Sequence, residues 1–222
     1  VAYEHMDRFF PADKIILTGN PVRQNLIETT LSREEAIERF GLDPAKKTIL
    51  LVGGSLGART INESVLQHLD MVRESGVQFI WQTGKYYYPQ VTEAVRAAGE
   101  LPNLYVTDFI KDMAAASDLV ISRAGAGSIS EFCLLHKPVV LVPSPNVAED
   151  HQTKNALALV DKQAAIYVKD SEAEAKLMDV ALNTVADDRK LKELSENIAK
   201  LALPDSARII AQEVIKLAEA EN

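Results

Sequence analysis

Cysteine is almost missing from this chain: Cys133 stands alone, so no internal disulfide can form and the composition suits a reducing compartment. It lies in the apolar run Phe132-Cys133-Leu134-Leu135, where a thiol packs as a small hydrophobe rather than acting as a nucleophile. Basic residues are in deficit, with 24 Lys and Arg against 32 Asp and Glu and a net charge of -8. That balance argues against nucleic acid, whose affinity comes mostly from Lys and Arg on phosphates, and no polybasic cluster offers a grip on an anionic membrane. Long apolar runs are lacking too, none approaching the ~20 residues that cross a bilayer. No Asp-x-Asp occurs, so a metal holding a diphosphate is not indicated and no cofactor is called for. The glycine loop at Gly53 carries no lysine, against P-loop chemistry, and is not Gly-x-Gly-x-x-Gly, which weakens a dinucleotide reading.

What remains is a globular chain of 222 residues, 47% hydrophobic, long enough for one large α/β domain or one and a half ordinary ones. It opens on Val1, and Val1-Ala2-Tyr3-Glu4 reads as an ordered segment, so a fragment or processed piece is expected. Apolar runs of strand length alternate with helical patterns. Strands are expected at residues 14–18, 48–52, 77–83, 104–107, 118–121, 137–143 and 165–168. The alternation predicts an α/β fold with a parallel sheet. Asn20-Pro21 marks a turn over residues 19–23. Ser32 and Glu35 have the spacing of a capping box, Ala36, Ile37 and Phe40 supply an apolar face, and Gly41 ends that helix. Tyr86, Tyr87 and Tyr88 adjoin a helix start and are expected to pack locally. Residues 172–187, 189–201 and 207–219 read as helices, the last with an apolar stripe of Ile210, Val214 and Leu217 that is expected to pack.

Chemistry concentrates in Ser122-Arg123-Ala124-Gly125-Ala126-Gly127-Ser128-Ile129-Ser130-Glu131. A strand, a glycine turn and a helix start follow one another there. Glycines let a backbone approach a ligand closely, and the unpaired amides and positive dipole end of a helix start suit a phosphate. Glu131 falls one turn in, wrong for phosphate but able to accept hydrogen bonds from ribose hydroxyls. The stretch therefore reads as a nucleoside diphosphate site, or else as a glycine-rich connection with no ligand. A second loop, Gly53-Gly54-Ser55-Leu56-Gly57-Ala58, also leads from a strand into a helix. Ser55 could donate to a diphosphate oxygen, or the glycines could serve only close packing. Asp150 is placed to cap a helix that begins His151-Gln152, and both of these would project from the carboxyl end of a strand, where open α/β sheets place ligands. Arg23 would be held on a tight turn, or be an ordinary surface arginine.

Taken together, residues 19–23 (GNPVR), 53–58 (GGSLGA), 122–131 (SRAGAGSISE) and 150–156 (DHQTKNA) closely resemble the carboxyl-terminal half of the MurG family of N-acetylglucosaminyltransferases. The resemblance covers essentially the whole chain. It implies a doubly wound, Rossmann-like carboxyl-terminal domain of a GT-B glycosyltransferase, which binds UDP-N-acetylglucosamine and transfers its sugar to lipid I, giving lipid II for peptidoglycan. By the same resemblance Arg23 faces the donor diphosphate or its closing loop and Ser55 a phosphate oxygen. Ile110 recognises uracil through its backbone. The run Ala126, Gly127, Ser128, Ile129, Ser130 and Glu131 holds the nucleotide, and His151 with Gln152 reads the sugar hydroxyls. The sequence departs from the variant of the family that has Ala-Leu-Thr-Val-Ser-Glu and Gln-Gln by carrying Gly127, Ser128 and His151. The expected organisation is a linker and first strand at 1–30, a donor-binding domain at 31–204 and a carboxyl-terminal helix at 205–222. The acceptor-binding amino-terminal domain, with the membrane contact and the general base, has no counterpart. His151 is an alternative base. The family works peripherally at the cytoplasmic face of the bacterial inner membrane. Rival readings are another UDP-sugar transferase on a lipid acceptor, a UDP-sugar epimerase, and a nucleotide-binding module that needs a catalytic partner.

Overall fold

A strand that is apolar at every position has no face for water and must be covered on both sides. Residues 48–52 are of that kind. In the computed structural model, which describes residues 1–2, 6–22, 31–54, 57–110 and 116–220, they form β1 (Thr48–Val52), buried at all five positions. On its two sides lie β2 (Gln78–Gln82) and β4 (Leu119–Ser122), buried along their lengths. With β3 (Leu104–Thr107), β5 (Val139–Leu141) and β6 (Ile166–Tyr167) they make a six-stranded sheet of order β3-β2-β1-β4-β5-β6. Every pairing is parallel, which is the doubly wound, Rossmann-like arrangement.

Nine helices are described: α1 (Arg33–Glu38), α2 (Arg59–Leu66), α3 (Leu69–Glu74), α4 (Tyr88–Ala97), α5 (Ala126–Leu134), α6 (His151–Val160), α7 (Ala173–Ala186), α8 (Asp188–Ala199) and α9 (Ser206–Ala220). Side chains alternate along each strand, and so the sheet has two cores. Ile49, Leu51, Phe79, Trp81, Leu119 and Ile121 pack under α2, α3, α4 and α7. Leu50, Val52, Ile80, Val120 and Leu141 pack under α1, α5 and α6. Trp81 is fully buried, and its indole N–H must find an acceptor there. It donates to Asn62 Oδ1 at 2.9 Å. The capping box at Ser32 is present in both directions, and Gly41 ends the turn after α1 at φ 69°.

Three expectations fail. Residues 14–18 are not a strand: after a 3-10 turn at Ala12–Lys14 the chain is extended, and among the described residues it pairs with Val1, whose ammonium donates to Ile16 O at 2.7 Å and whose carbonyl accepts from Thr18 N at 2.9 Å. Among the described residues that pairing makes no ladder. Asp150 does hold the N-cap position of α6, which begins at His151 as expected, but it is left-handed at φ 51° and its carboxylate caps no backbone amide; its Oδ1 accepts from the Thr153 hydroxyl at 2.7 Å instead. The stripe on α9 does not pack: Val214 is 60% and Leu217 69% exposed. The tyrosines behave as expected, Tyr86 and Tyr87 meeting edge to face at 4.9 Å.

Candidate functional site

The last residues of the six strands, Thr107, Gln82, Val52, Ser122, Leu141 and Tyr167, form one rung across the sheet. Beyond it the chain order reverses between β1 and β4, since β1 leads to β2 on one side and β4 to β5 on the other. Such a switch point opens a crevice at the carboxyl ends of the strands. Here the crevice lies between Gly53-Gly54 after β1 and the loop 123–125 after β4. Neighbouring strands are ~4.8 Å apart, so both loops emerge within reach of one small ligand.

The glycines of the two loops do different work. Gly53 and Gly57 are packing positions: a Cβ on Gly53 would stand 2.9 Å from Gln82 O, and one on Gly57 2.4 Å from the Tyr87 ring. Gly84 likewise presses its backbone on Gly57. Gly125 and Gly127 are the opposite case. A Cβ on either meets nothing within 4 Å, and Gly125 has φ -70° and ψ 139°, open to any residue. Neither packing nor backbone geometry asks for glycine there, whereas a ligand pressed against the loop would.

Gly125 is the N-cap of α5, and no side chain caps that helix. The first-turn amides of Ala126, Gly127 and Ser128 therefore have no intrahelical acceptor and stand at the positive end of the helix dipole. Glu131 lies one turn further, on the face of Gly127 and Ser128 by its spacing of four and three residues. Ile129 is turned inward: its side chain is buried in the core and its amide donates to Gly125 O at 3.0 Å. Ser130 Oγ donates to Ala126 O at 3.0 Å and accepts from Asn20 Nδ2 at 3.1 Å. That bond docks the Gly19-Asn20 turn on α5, beside a cavity of about 520 Å³ that includes Leu17, Ile129, Cys133 and Leu203. Asn155 lines the cavity as well, while Gly125 does not. Burial pushes the Cys133 thiol up to about 11, so it stays protonated and inert.

Gln152 and Asn155 shape the loop before α5. Gln152 Oε1 accepts from Ala124 N at 3.2 Å and from Ser144 N at 2.9 Å. One turn on, Asn155 Nδ2 donates to Ala124 O at 3.1 Å. Among the described residues the Nε2 of Gln152 has no partner, and it stands beside the Gly125 loop. His151 is exposed, with Nδ1 2.8 Å from Ala148 O, and follows two left-handed residues, Glu149 and Asp150. Across the crevice Ile110 is 7% exposed, yet among the described residues neither its backbone N–H nor its C=O makes a hydrogen bond. The three carbonyls before it are all engaged: Thr107 O accepts from Thr83 N, Asp108 O from Gln82 Nε2, and Phe109 O from the Thr107 hydroxyl. Arg23 and Ser55 lie outside the described residues.

Sequence reasoning missed Gln82, which holds Gly54, and Asn155. It also missed Arg123, whose guanidinium donates to Val142 O, Pro143 O and the Asp170 carboxylate. The signal for Gln82 was a polar amide closing a strand whose middle is apolar; for Asn155 it was the three-residue step from Gln152.

Residues 48–210 match the glycosyltransferase family 28 C-terminal domain, from the start of β1 into α9. The chain belongs to this family. It is 83% identical, over 226 aligned residues, to the UDP-N-acetylglucosamine–N-acetylmuramyl-(pentapeptide) pyrophosphoryl-undecaprenol N-acetylglucosamine transferase of Bacteroides thetaiotaomicron, covering 100% of this chain and 61% of that protein. The crystal structure of Acinetobacter baumannii MurG superposes with a TM-score of 0.69 at 26% identity, over 91% of this chain and 57% of that one. The chain thus spans about three fifths of the length of these relatives. The UDP-GlcNAc 2-epimerase of Neisseria meningitidis, bound to UDP-GlcNAc, gives a TM-score of 0.64 at 16% identity, over 95% of this chain and 58% of its own. That likeness concerns the fold alone.

Proposed function

We propose that this family 28 domain is the donor-binding half of an inverting transferase that moves N-acetylglucosamine from UDP-N-acetylglucosamine to lipid I, giving lipid II for peptidoglycan. The observation that carries the reading is the uncapped start of α5, with two glycines facing open space at the switch point and Glu131 one turn inward. The donor diphosphate sits on the amides of Ala126, Gly127 and Ser128, Glu131 accepts from the ribose hydroxyls, and the peptide groups of Ile110, which make no hydrogen bond among the described residues, meet uracil. Gln152 Nε2, with His151 beside it, donates to the sugar hydroxyls. Arg23 and Ser55 complete the diphosphate site by family resemblance.

In the reaction an acceptor hydroxyl attacks the anomeric carbon, the bond from that carbon to the diphosphate oxygen breaks, and UDP leaves. Negative charge grows on the departing diphosphate, where fixed amides and the α5 dipole stabilise it; donors of this kind contribute roughly 3 to 4 kcal/mol each where they have been removed. The proton of the acceptor goes to a base outside this chain. Residues 1–30 serve as linker, 31–204 as the donor domain and 205–222 as a separate helix, a division supported by the exposed stripe of α9. Lipid I, and contact with the cytoplasmic face of the inner membrane, belong to the part of the relatives' length that this chain does not span. Among the described residues no helix is long and apolar enough to cross a membrane.

Calorimetry with UDP, UDP-N-acetylglucosamine, UDP-glucose and NAD tests the reading. The expected result is binding of UDP and the UDP-sugars, with UDP affinity at least tenfold lower in Glu131→Ala. Tight NAD binding with none for UDP would overturn it.

A further inference from the structure

Gln82 closes β2 with a side chain that solvent scarcely reaches: it is 2% exposed. Its neighbours on the rung are Val52, the last residue before the Gly53-Gly54 loop, and Thr107, the last before the segment that leads to Ile110. The amide is used in full between those two loops. Oε1 accepts from Gly54 N at 2.9 Å, while Nε2 donates to Gly54 O at 3.1 Å and to Asp108 O at 2.8 Å. Gly54 is left-handed at φ 69°, and Gln82 holds its peptide groups from both sides. One buried side chain therefore sets the loop on the phosphate side of the crevice and the segment on the base side.

We propose that Gln82 is a positioning residue that fixes base selectivity, by holding the Ile110 peptide at a set distance from the diphosphate loop. The proposal rests on the donor-site reading above. Its chemistry follows from hydrogen-bond polarity. Uracil presents an acceptor at O4 and a donor at N3–H, which match one N–H and one C=O of a peptide chain; cytosine presents a donor at N4 and an acceptor at N3, the reverse. Only a rigid peptide can exploit that reversal, because a mobile one turns to suit either base. With the carbonyls of 107, 108 and 109 all engaged, the Gln82 amide, bonded to both Asp108 and Gly54, links this segment to the Gly54 loop.

The test measures binding of UDP and of CDP to the 222-residue chain, as wild type, Gln82→Glu and Gln82→Met, with a thermal melt of each to show that it is folded at the assay temperature. Gln82→Glu keeps the acceptor for Gly54 N and loses both donors; Gln82→Met loses all three bonds and introduces no charge, and serves if the first variant does not fold. The expected result is a UDP affinity at least tenfold lower with CDP affinity changed less than threefold, so that the preference for UDP collapses. General loosening of the fold would weaken both nucleotides together and leave their ratio unchanged. A folded variant that binds UDP with the wild-type ratio of UDP to CDP overturns the role of Gln82 while leaving the donor site standing. Failure of the wild-type chain to bind UDP overturns the donor reading, and the role of Gln82 with it.

Discussion

Replacing Gly125 and Gly57 by alanine, one at a time, separates a glycine that serves a ligand from one that serves packing. At Gly125 the added methyl meets nothing within 4 Å and the backbone, at φ -70° and ψ 139°, accepts alanine. Alanine is a poorer N-cap than glycine by about 1 kcal/mol, offset in part by about 0.4 to 1 kcal/mol from the stiffer unfolded chain. The net change is under about 1 kcal/mol, a shift of no more than roughly 2 to 4 °C in a domain of this size. At Gly57 the left-handed backbone, φ 70°, costs alanine about 1 to 2 kcal/mol. The methyl would also stand 2.4 Å from Tyr87 Cδ2 and 2.9 Å from Thr83 O, an overpacking worth about 1 to 3 kcal/mol. The sum is about 2 to 5 kcal/mol, and a melting point lower by roughly 10 °C. Thermal unfolding followed by circular dichroism reads the stabilities and UDP calorimetry reads the site. Gly125→Ala should melt near wild type yet bind UDP at least tenfold more weakly; Gly57→Ala should melt far lower. If Gly125→Ala bound UDP as tightly as wild type, the empty space beside that glycine would not be ligand space and the reasoning would fail.

Lys137 donates to Ser117 O at 2.8 Å, and burial pushes its ammonium down to about 8, with Asp118 opposing and Arg33 adding to the shift. A lysine whose folded pKa lies below its unfolded value destabilises the fold while it is charged, and that penalty fades as pH rises from about 8 towards 10.5. Lys137→Met removes the penalty, so its stability advantage over wild type in urea unfolding should be larger at pH 7 than at pH 11 by up to about 3 kcal/mol; a gap independent of pH would refute this. Gln152→Ala strands the amides of Ala124 and Ser144 and should cost about 1 to 3 kcal/mol in urea unfolding. Gln152→Glu retains an accepting oxygen and should restore most of that loss; equal losses in the two variants would show that the shared acceptor does not hold the loops.

Much of the fold was legible because the strongest signals are local. The apolar run at Thr48–Val52 became β1 without a shift at either end, and the Ser32 and Glu35 spacing became a capping box. The run at 14–18 looked the same in kind, but a strand needs a neighbour as well as a propensity, and the sequence does not say which edge is free. The apolar stripe on α9 misled for a related reason: periodicity locates a face and cannot say what covers it. In the site, the glycine turn and helix start at 122–131 carried the nucleotide reading, since an uncapped helix start is a local property. The division between packing glycines and open ones was invisible, because it depends on Tyr87 and Thr83 arriving from elsewhere in the chain to crowd Gly57 while nothing arrives at Gly125.

By itself the sequence determined the α/β class, the order of strands and helices along the chain, and the two glycine loops that each lead from a strand into a helix, all of which follow from the period and chemistry of neighbouring residues. Tertiary structure alone decided that those loops share one crevice, that Gln82 ties the Gly54 loop to the segment before Ile110, and that Gln152 and Asn155 set the peptide of Ala124. Each of those is a contact between residues far apart in the chain, fixed by which strand lies beside which, and no local pattern encodes it.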